Sequence, residues 1–375
     1  MKDEYGEMTS EGETFVTKDF DLENGTKLPV VQLKYKTYGK LNNSRDNVLV
    51  VCHALTGNAS LHSWWGGLLG KHKAFDTEKY LIVCCNIPGS CYGSTNPQSV
   101  NPNTGTVYGK SFPDISVKDT VKLQLSLLQE ELNILSVKAV IGGSFGGMQA
   151  LEFAVQAGSK NANFVSRDGS PYVRSVVAIA CGATHTAWQI AVSEVQRQAI
   201  YADPKWKEDP FNSTKGLEVA RQMAMVSYRT PQGYQKKFGR QLQTQDSPPY
   251  GSKTQWKAKS YLEHQGKKFI HRFDPITYVK LTEQMDSHDI SRNRGVSVEE
   301  VLGQIKIPVC VLGIDSDVLY PLSEQEELVK YIPDSELFVI RSDEGHDGFL
   351  LEQDQVAYHI TKFLNTGGPL IRSRL

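Results

Sequence analysis

The fold of this chain is decided by the stretch VKAVIGGSFGGMQALEFAVQ, residues 137–156. A short β-type run enters a cluster of glycines, and an apolar helix-type segment, 148–157, leaves it. Between them, GGSFG at 142–146 fits the pattern G-x-S-x-G. In that pattern a sharp strand-to-helix turn raises a serine above the carboxyl end of a sheet, and glycines permit the close backbone approach. The sequence therefore predicts a nucleophile, Ser144, with the Phe145 N–H directed at a developing oxyanion.

Strands and helices alternate on both sides of this turn. Strand-type segments lie at 48–52, 80–85, 137–141, 176–181, 307–314 and 335–340, and further helix-type segments lie at 123–135 and 322–332. The segments at 48–52 and 80–85 are apolar runs, as expected for central parallel strands. This alternation predicts an α/β fold with a mostly parallel sheet and helices on both faces.

The strand pattern nearly vanishes between about 185 and 300, where helix-type segments lie at 216–229 and 297–302. The predicted organisation is a core in two parts, 1–184 and 301–375, with a helical lid inserted at 185–300.

Two polar side chains follow late strands of the predicted sheet. Asp317 follows one strand, and His346 follows the next, 29 residues further on. Because that interval matches one crossover unit, both side chains should reach the sheet edge that carries Ser144. His346 would then serve as the base and an aspartate would orient it. Asp315 competes with Asp317 for the orienting role, and spacing alone does not separate them.

His53 also follows a predicted strand, but early in the chain. We interpret it as a histidine that hydrogen-bonds the backbone near the site. No histidine has H-E-x-x-H or comparable spacing, so the sequence predicts no metal.

The composition limits the classes of partner and the compartment. The chain has 375 residues, 22% of them charged, and a net charge of −1, which predicts a small-molecule substrate rather than nucleic acid or a membrane. Six cysteines without a C-x-x-C pair predict a reduced protein, and the polar N-terminus is no signal peptide, so we expect a cytoplasmic location. The final tripeptide, Ser373-Arg374-Leu375, resembles a peroxisomal address of the S-K-L type, which would have meaning only in a eukaryote.

Longer strings resemble the homoserine O-acetyltransferase family, over about 29–365. They include HALTG at 53–57, NIPGSCYGSTNP at 86–97, GGSFGGMQALE at 142–152 and GHD at 345–347. The family also contains serine O-acetyltransferases of this fold and homoserine O-succinyltransferases. The resemblance implies an α/β-hydrolase core with a helical lid, through which members commonly dimerise.

The resemblance also implies roles for individual residues. The implied set is a triad of Ser144, Asp317 and His346, oxyanion N–H groups of Leu55 and Phe145, and amino-acid binding by Arg221, Tyr228 and Asp347. Arg221 and Tyr228 are seven positions apart on one predicted helix, so they should share a face. An arginine fork suits the substrate carboxylate, and an aspartate suits its ammonium.

The implied reaction is ping-pong transfer of an acetyl group from acetyl-CoA, a co-substrate rather than a bound cofactor, to the hydroxyl of L-homoserine in methionine biosynthesis. The protein would act as a homodimer. Serine as the acceptor differs by one methylene and stays open, as does succinyl-CoA as the donor. A simple esterase, or a binding protein without catalysis, is a more distant alternative.

Overall fold

The computed structural model describes residues 11–367 except 245, 247, 249 and 252, so the tripeptide Ser373-Arg374-Leu375 lies outside the described residues. In this part of the chain eight strands form one sheet. Their bounds are β1 (Glu13–Asp21), β2 (Lys27–Gly39), β3 (Val48–Cys52), β4 (Leu81–Cys85), β5 (Val137–Gly143), β6 (Val176–Ile179), β7 (Val309–Ile314) and β8 (Ser335–Ile340). They stand in the order β1-β2-β4-β3-β5-β6-β7-β8. The pairs β1–β2 and β2–β4 are antiparallel and the other pairs are parallel, which confirms the predicted mostly parallel sheet.

The described residues contain twelve α-helices, and half of them lie between two strands of the sheet. Their bounds are α1 (Leu61–Trp64), α2 (Val117–Ser126), α3 (Phe145–Gly158), α4 (Ala187–Tyr201), α5 (Thr214–Tyr228), α6 (Pro231–Phe238), α7 (Lys257–Phe269), α8 (Pro275–Asp286), α9 (Val298–Gln304), α10 (Leu322–Tyr331), α11 (Gly348–Leu351) and α12 (Gln353–Thr366). Helices α4 to α9 lie between β6 and β7, and we call this segment the helical insertion. None of the helices described is both long and apolar enough to cross a membrane.

The central strands are buried on both faces. In β3, Val48, Val50 and Cys52 belong to one apolar core, whereas Leu49 and Val51 belong to a second core on the other face. Because successive side chains of a strand point to opposite faces, an unbroken apolar run such as VLVVC requires cover on both sides. Helix α3 packs in the first core and α12 in the second.

The predicted helix at 123–135 differs from the observed one. Helix α2 begins at Val117, where the Ser116 and Asp119 side chains form a capping box with each other's backbone N–H groups. It ends at Ser126 and continues as a π-helical turn, Leu127–Glu131. Apolar periodicity alone misplaced the helix, because its first turn is polar and is fixed by the cap.

Candidate active site

Ser144 lies in a strained turn between β5 and α3. Its φ of 57° and ψ of −124° are unusual for a residue with a side chain. The glycines on either side are needed because there is no space for a Cβ. At Gly142 a Cβ would lie 2.1 Å from the Gly146 carbonyl oxygen, and at Gly146 it would lie 2.1 Å from that of Cys52. The strain at Ser144 is therefore maintained by close packing of the turn between β5 and α3 against β3.

Three side chains from three sheet-edge loops form a hydrogen-bonded chain at this turn. The Ser144 hydroxyl donates to His346 Nε2 over 2.8 Å, and His346 Nδ1 donates to Asp317 Oδ2 over 2.7 Å. All three residues are buried. This is the arrangement in which an imidazole accepts the serine proton while a carboxylate holds the required tautomer.

The structure separates the two aspartates that spacing left equivalent. Asp317 Oδ1 accepts hydrogen bonds from the backbone N–H groups of Leu319 and Tyr320, at 2.8 and 2.9 Å, which leaves Oδ2 for the histidine. Asp315 instead accepts the Ser342 N–H at 3.0 Å and pairs with Arg341. The Asp315 carboxylate therefore bonds to the loop that follows β8.

Aromatic rings surround the His346 imidazole. Tyr320 stacks on it with centroids 4.9 Å apart, and Phe349 and Tyr228 approach at 5.5 and 5.9 Å. Burial disfavours the charged imidazole, but the Asp317 carboxylate outweighs burial and raises the pKa of His346 above its ordinary value. The contact of Tyr320 with the imidazole was not predicted from the sequence, although Tyr320 lies three positions after Asp317.

The two N–H groups proposed for an oxyanion hole lie on adjacent strand ends. Leu55 follows β3, Phe145 follows β5, and these strands pair in parallel. Both residues are buried, and within the described residues neither backbone N–H donates a hydrogen bond to the protein. Unpaired N–H groups of buried residues are rare in folded proteins, so two of them at neighbouring strand ends, one directly after Ser144, are suited to an oxygen of a ligand.

His53 hydrogen-bonds the backbone through both ring nitrogens, as the sequence predicted. Nδ1 lies 2.7 Å from the Ala54 carbonyl oxygen, and Nε2 accepts the Ile87 N–H over 3.0 Å. Complete burial lowers the pKa of His53 to about 4, so the ring is neutral at neutral pH.

The structure brings the candidate amino-acid-binding residues to the same place. Arg221 and Tyr228 lie on α5, and Arg221 is fully buried with its guanidinium 5.0 Å from the centre of the Phe269 ring. Asp347 directly follows His346 and is also buried. Tyr228 lies beside His346, with ring centroids 5.9 Å apart. Burial raises the pKa of Tyr228 and of Asp347, and the Arg221 charge opposes both shifts.

Asp347 pairs with Arg229, a contact that was not predicted from the sequence. Arg229 Nε lies 2.8 Å from Asp347 Oδ2, and the same guanidinium contacts Glu344. Burial raises the pKa of Asp347 in spite of this cation. Arg229 directly follows Tyr228, so the only signal in the sequence was its position beside a candidate residue.

Fold and site together define a member of the α/β-hydrolase class with a serine–histidine–aspartate arrangement. The family model described as alpha/beta hydrolase fold matches residues 47–353. The solved structure of esterase E22 has a TM-score of 0.81 at 21% identity and covers 94% of this chain and 99% of that one, which is a likeness of fold.

Relatives with higher sequence identity show to which family within this class the chain belongs. The homoserine O-acetyltransferase of Salinibacter ruber (strain DSM 13855 / M31) is 47% identical over 347 residues, 91% of this chain and 94% of that protein. The crystal structure of homoserine O-acetyltransferase from Bacillus anthracis has a TM-score of 0.83 at 25% identity, and the match covers 95% of this chain and 97% of that one. The chain belongs to the homoserine O-acetyltransferase family and is an acyltransferase.

Proposed function

We propose that this enzyme transfers an acetyl group from acetyl-CoA to the side-chain hydroxyl of L-homoserine, through an acyl-enzyme on Ser144. The observation that carries the proposal is the buried chain from Ser144 through His346 to Asp317, at 2.8 and 2.7 Å. The 47% identical relative supports the choice of acceptor, because it is named for acetyl transfer to homoserine.

The first half-reaction forms the acyl-enzyme. His346 Nε2 takes the proton of the Ser144 hydroxyl as its oxygen attacks the thioester carbon, and the Leu55 and Phe145 N–H groups stabilise the oxyanion. The C–S bond then breaks, and the departing thiolate takes the proton from His346. Coenzyme A leaves as the thiol, and the acetyl group stays on Ser144.

The second half-reaction repeats these steps with the acceptor. The hydroxyl of homoserine gives its proton to His346 Nε2 and its oxygen attacks the acetyl carbon, after which Ser144 leaves and regains the proton. Arg221 would bind the carboxylate of homoserine and Asp347 its ammonium, with the Tyr228 ring beside them. Because Arg229 already pairs with Asp347, the ammonium would share that carboxylate rather than find it unpaired.

Steady-state kinetics test the proposal. Initial rates with both substrates varied should give parallel double-reciprocal lines, and intersecting lines would contradict an acyl-enzyme. Ser144→Ala should form no acetyl-enzyme. Comparing kcat/KM for homoserine and serine, each with acetyl-CoA and succinyl-CoA, separates the four substrate pairs. Rapid loss of acetyl-CoA without an acceptor would favour an esterase, because a transferase must exclude water from the acyl-serine.

We further propose that residues 185–300, which make up most of the helical insertion, are a lid and that a homodimer forms through it. Val219, Met223 and Val226 lie at helical spacing on α5 and are 48, 40 and 51% exposed, and α4, which packs against α5, carries exposed Trp188 and Val195. An apolar patch of this kind marks an interface, and a two-fold axis would pair it with the same patch on a second copy.

The molar mass in solution, measured by light scattering, tests this interface. Met223→Glu should convert the dimer to a monomer, whereas Val16→Glu, at a similarly exposed valine on β1, should leave the dimer intact. A monomeric wild type, or a dimer that tolerates Met223→Glu, would contradict the lid interface.

A further inference from the structure

The loop after β3 fixes the orientation of one particular peptide group. The carbonyl oxygen of Ala54 accepts the Gly57 N–H at 2.9 Å and lies 2.7 Å from His53 Nδ1. Because Nε2 of His53 accepts the Ile87 N–H, the single proton of the neutral ring is on Nδ1, which therefore donates to Ala54.

The same peptide group carries the Leu55 N–H. The described residues contain no cis peptide bond, so the Ala54 carbonyl and the Leu55 N–H point in opposite directions. Two donors hold the oxygen at one end of this plane, and the N–H at the other end has no partner in the described part of the protein. Hydrogen bonds to a carbonyl also polarise the amide and strengthen its N–H as a donor.

Gly57 and Gln149 restrict the position of the Ala54–Leu55 peptide. A Cβ at Gly57 would lie 3.2 Å from His53 Nδ1 and 3.3 Å from the Ala54 oxygen, so the absence of a side chain there leaves room for the hydrogen bond. The buried Gln149 side chain on α3 donates to the carbonyl oxygens of His53 and Phe145, at 3.3 and 3.2 Å. Gln149 thereby joins the loop after β3 to the first turn of α3, which carries the other proposed oxyanion donor.

We propose that His53 is a positioning residue for the oxyanion hole. His53 holds the Ala54–Leu55 peptide so that the Leu55 N–H faces the reacting carbonyl. The inference rests on the proposed function, because it requires Leu55 to act as an oxyanion donor. His53 itself does not contact the substrate and takes no proton in the reaction.

Two substitutions at His53 separate its two hydrogen bonds. In His53→Asn the amide nitrogen takes the place of Nδ1, so the bond to Ala54 is kept and the bond from Ile87 is lost. In His53→Gln the amide oxygen reaches the place of Nε2, so the bond from Ile87 is kept and the bond to Ala54 is lost. Loss of an oxyanion donor lowers kcat by about 10²–10³. Since His53→Gln misdirects that donor without removing it, we expect acylation by acetyl-CoA to slow by roughly 10–100-fold.

The KM for acetyl-CoA should change little in His53→Gln, and His53→Asn should recover most of the acylation rate. Equal acylation rates in the two variants would overturn the inference, because a role confined to folding does not distinguish the two ring nitrogens. If neither variant folds, Gly57→Ala gives the same test with His53 intact, and we expect its acylation to slow while the KM is kept.

Infrared difference spectra of a ¹³C-labelled acetyl-enzyme give a direct reading of the oxyanion hole. The acyl carbonyl band should move to higher frequency in His53→Gln than in the wild type, because its hydrogen bond from Leu55 is weakened. An unmoved band would overturn the role of His53. Failure of the wild type to form any acetyl-enzyme would instead refute the proposed function, so the two failures are distinguishable.

Discussion

Replacement of Asp317 by asparagine tests the orientation of His346, the proposed base. Asp317 Oδ1 accepts two backbone N–H groups, from Leu319 and Tyr320, and these donors will hold the oxygen of an asparagine in the same place. The amide NH₂ must then face His346 Nδ1, where the carboxylate oxygen was. The opposite orientation would leave two buried N–H groups against an NH₂, at a cost of about 1–3 kcal/mol for each.

The consequence is the wrong tautomer of His346. An NH₂ group donates, so Nδ1 must accept, and the ring proton moves to Nε2, which faces the Ser144 hydroxyl at 2.8 Å. Nε2 then has no lone pair to take the serine proton. In a serine–histidine–aspartate triad, the wrong histidine tautomer lowers kcat by a factor of about 10⁴, which corresponds to a loss of about 5.5 kcal/mol of transition-state stabilisation.

The assay is the rate of acetyl-enzyme formation in a single turnover, with thermal unfolding as a check that the variant is folded. Asp315→Asn is a matched control, because it makes the same change two positions earlier at a carboxylate that bonds to Ser342 and Arg341. We expect it to retain acylation within a few-fold. If Asp317→Asn kept more than about a tenth of the wild-type rate, or if Asp315→Asn lost as much, the assignment of the orienting carboxylate would be refuted.

Three further predictions concern the surroundings of the triad. Burial raises the pKa of Glu324 to about 7 from 4.5, so this group makes the wild type lose stability as pH rises between these values. The free energy of unfolding of Glu324→Gln, relative to that of the wild type, should therefore grow by about 1–2 kcal/mol between pH 4 and 8, after allowance for solvent screening. Urea unfolding measures it, and an equal difference between variant and wild type at the two pH values would contradict this prediction. In Gly143→Ala the new Cβ would meet the Phe349 ring at 2.5 Å, so we expect about 1–3 kcal/mol of destabilisation and a lower kcat, measured by thermal unfolding and initial rates. Arg229→Met should cost about 3 kcal/mol or more because it leaves buried Asp347 without its cation, and a double variant with Asp347→Asn should recover part of that loss in urea unfolding.

The sheet and the approximate positions of the triad candidates were accessible from the sequence for one physical reason. Buried parallel strands are short apolar runs, and the residues after them reach one edge of the sheet. The run at 48–52 coincides with the buried strand β3, and the segment at 335–340 coincides with the half-buried edge strand β8. Once the strands were located, Ser144 and His346 could be placed at that edge without knowledge of any contact.

Contacts between distant segments were not accessible in this way. Spacing did not separate Asp315 from Asp317, and long-range contacts do: Asp315 accepts the Ser342 N–H, 27 positions away, and Asp317 binds His346, 29 positions away. Arg229 meets Glu344 across 115 positions. Neither periodicity nor motif spacing carries such information, because tertiary packing chooses the partner, which for Arg229 is packing of the helical insertion against the core.

The helical insertion contacts three of the sheet-edge loops that carry the proposed catalytic groups. Gln189 on α4 donates, over 2.7 Å, to the backbone two residues after Asp317. Arg229 pairs with the carboxylate next to His346, and Arg272 donates to the backbone of the loop after β3 over 2.9 Å. Catalytic groups must be held to within about 0.5 Å of productive geometry. Substitutions at these contacts should therefore lower the acylation rate even where no substrate atom is touched, and this distinguishes the insertion from a cover that only excludes water.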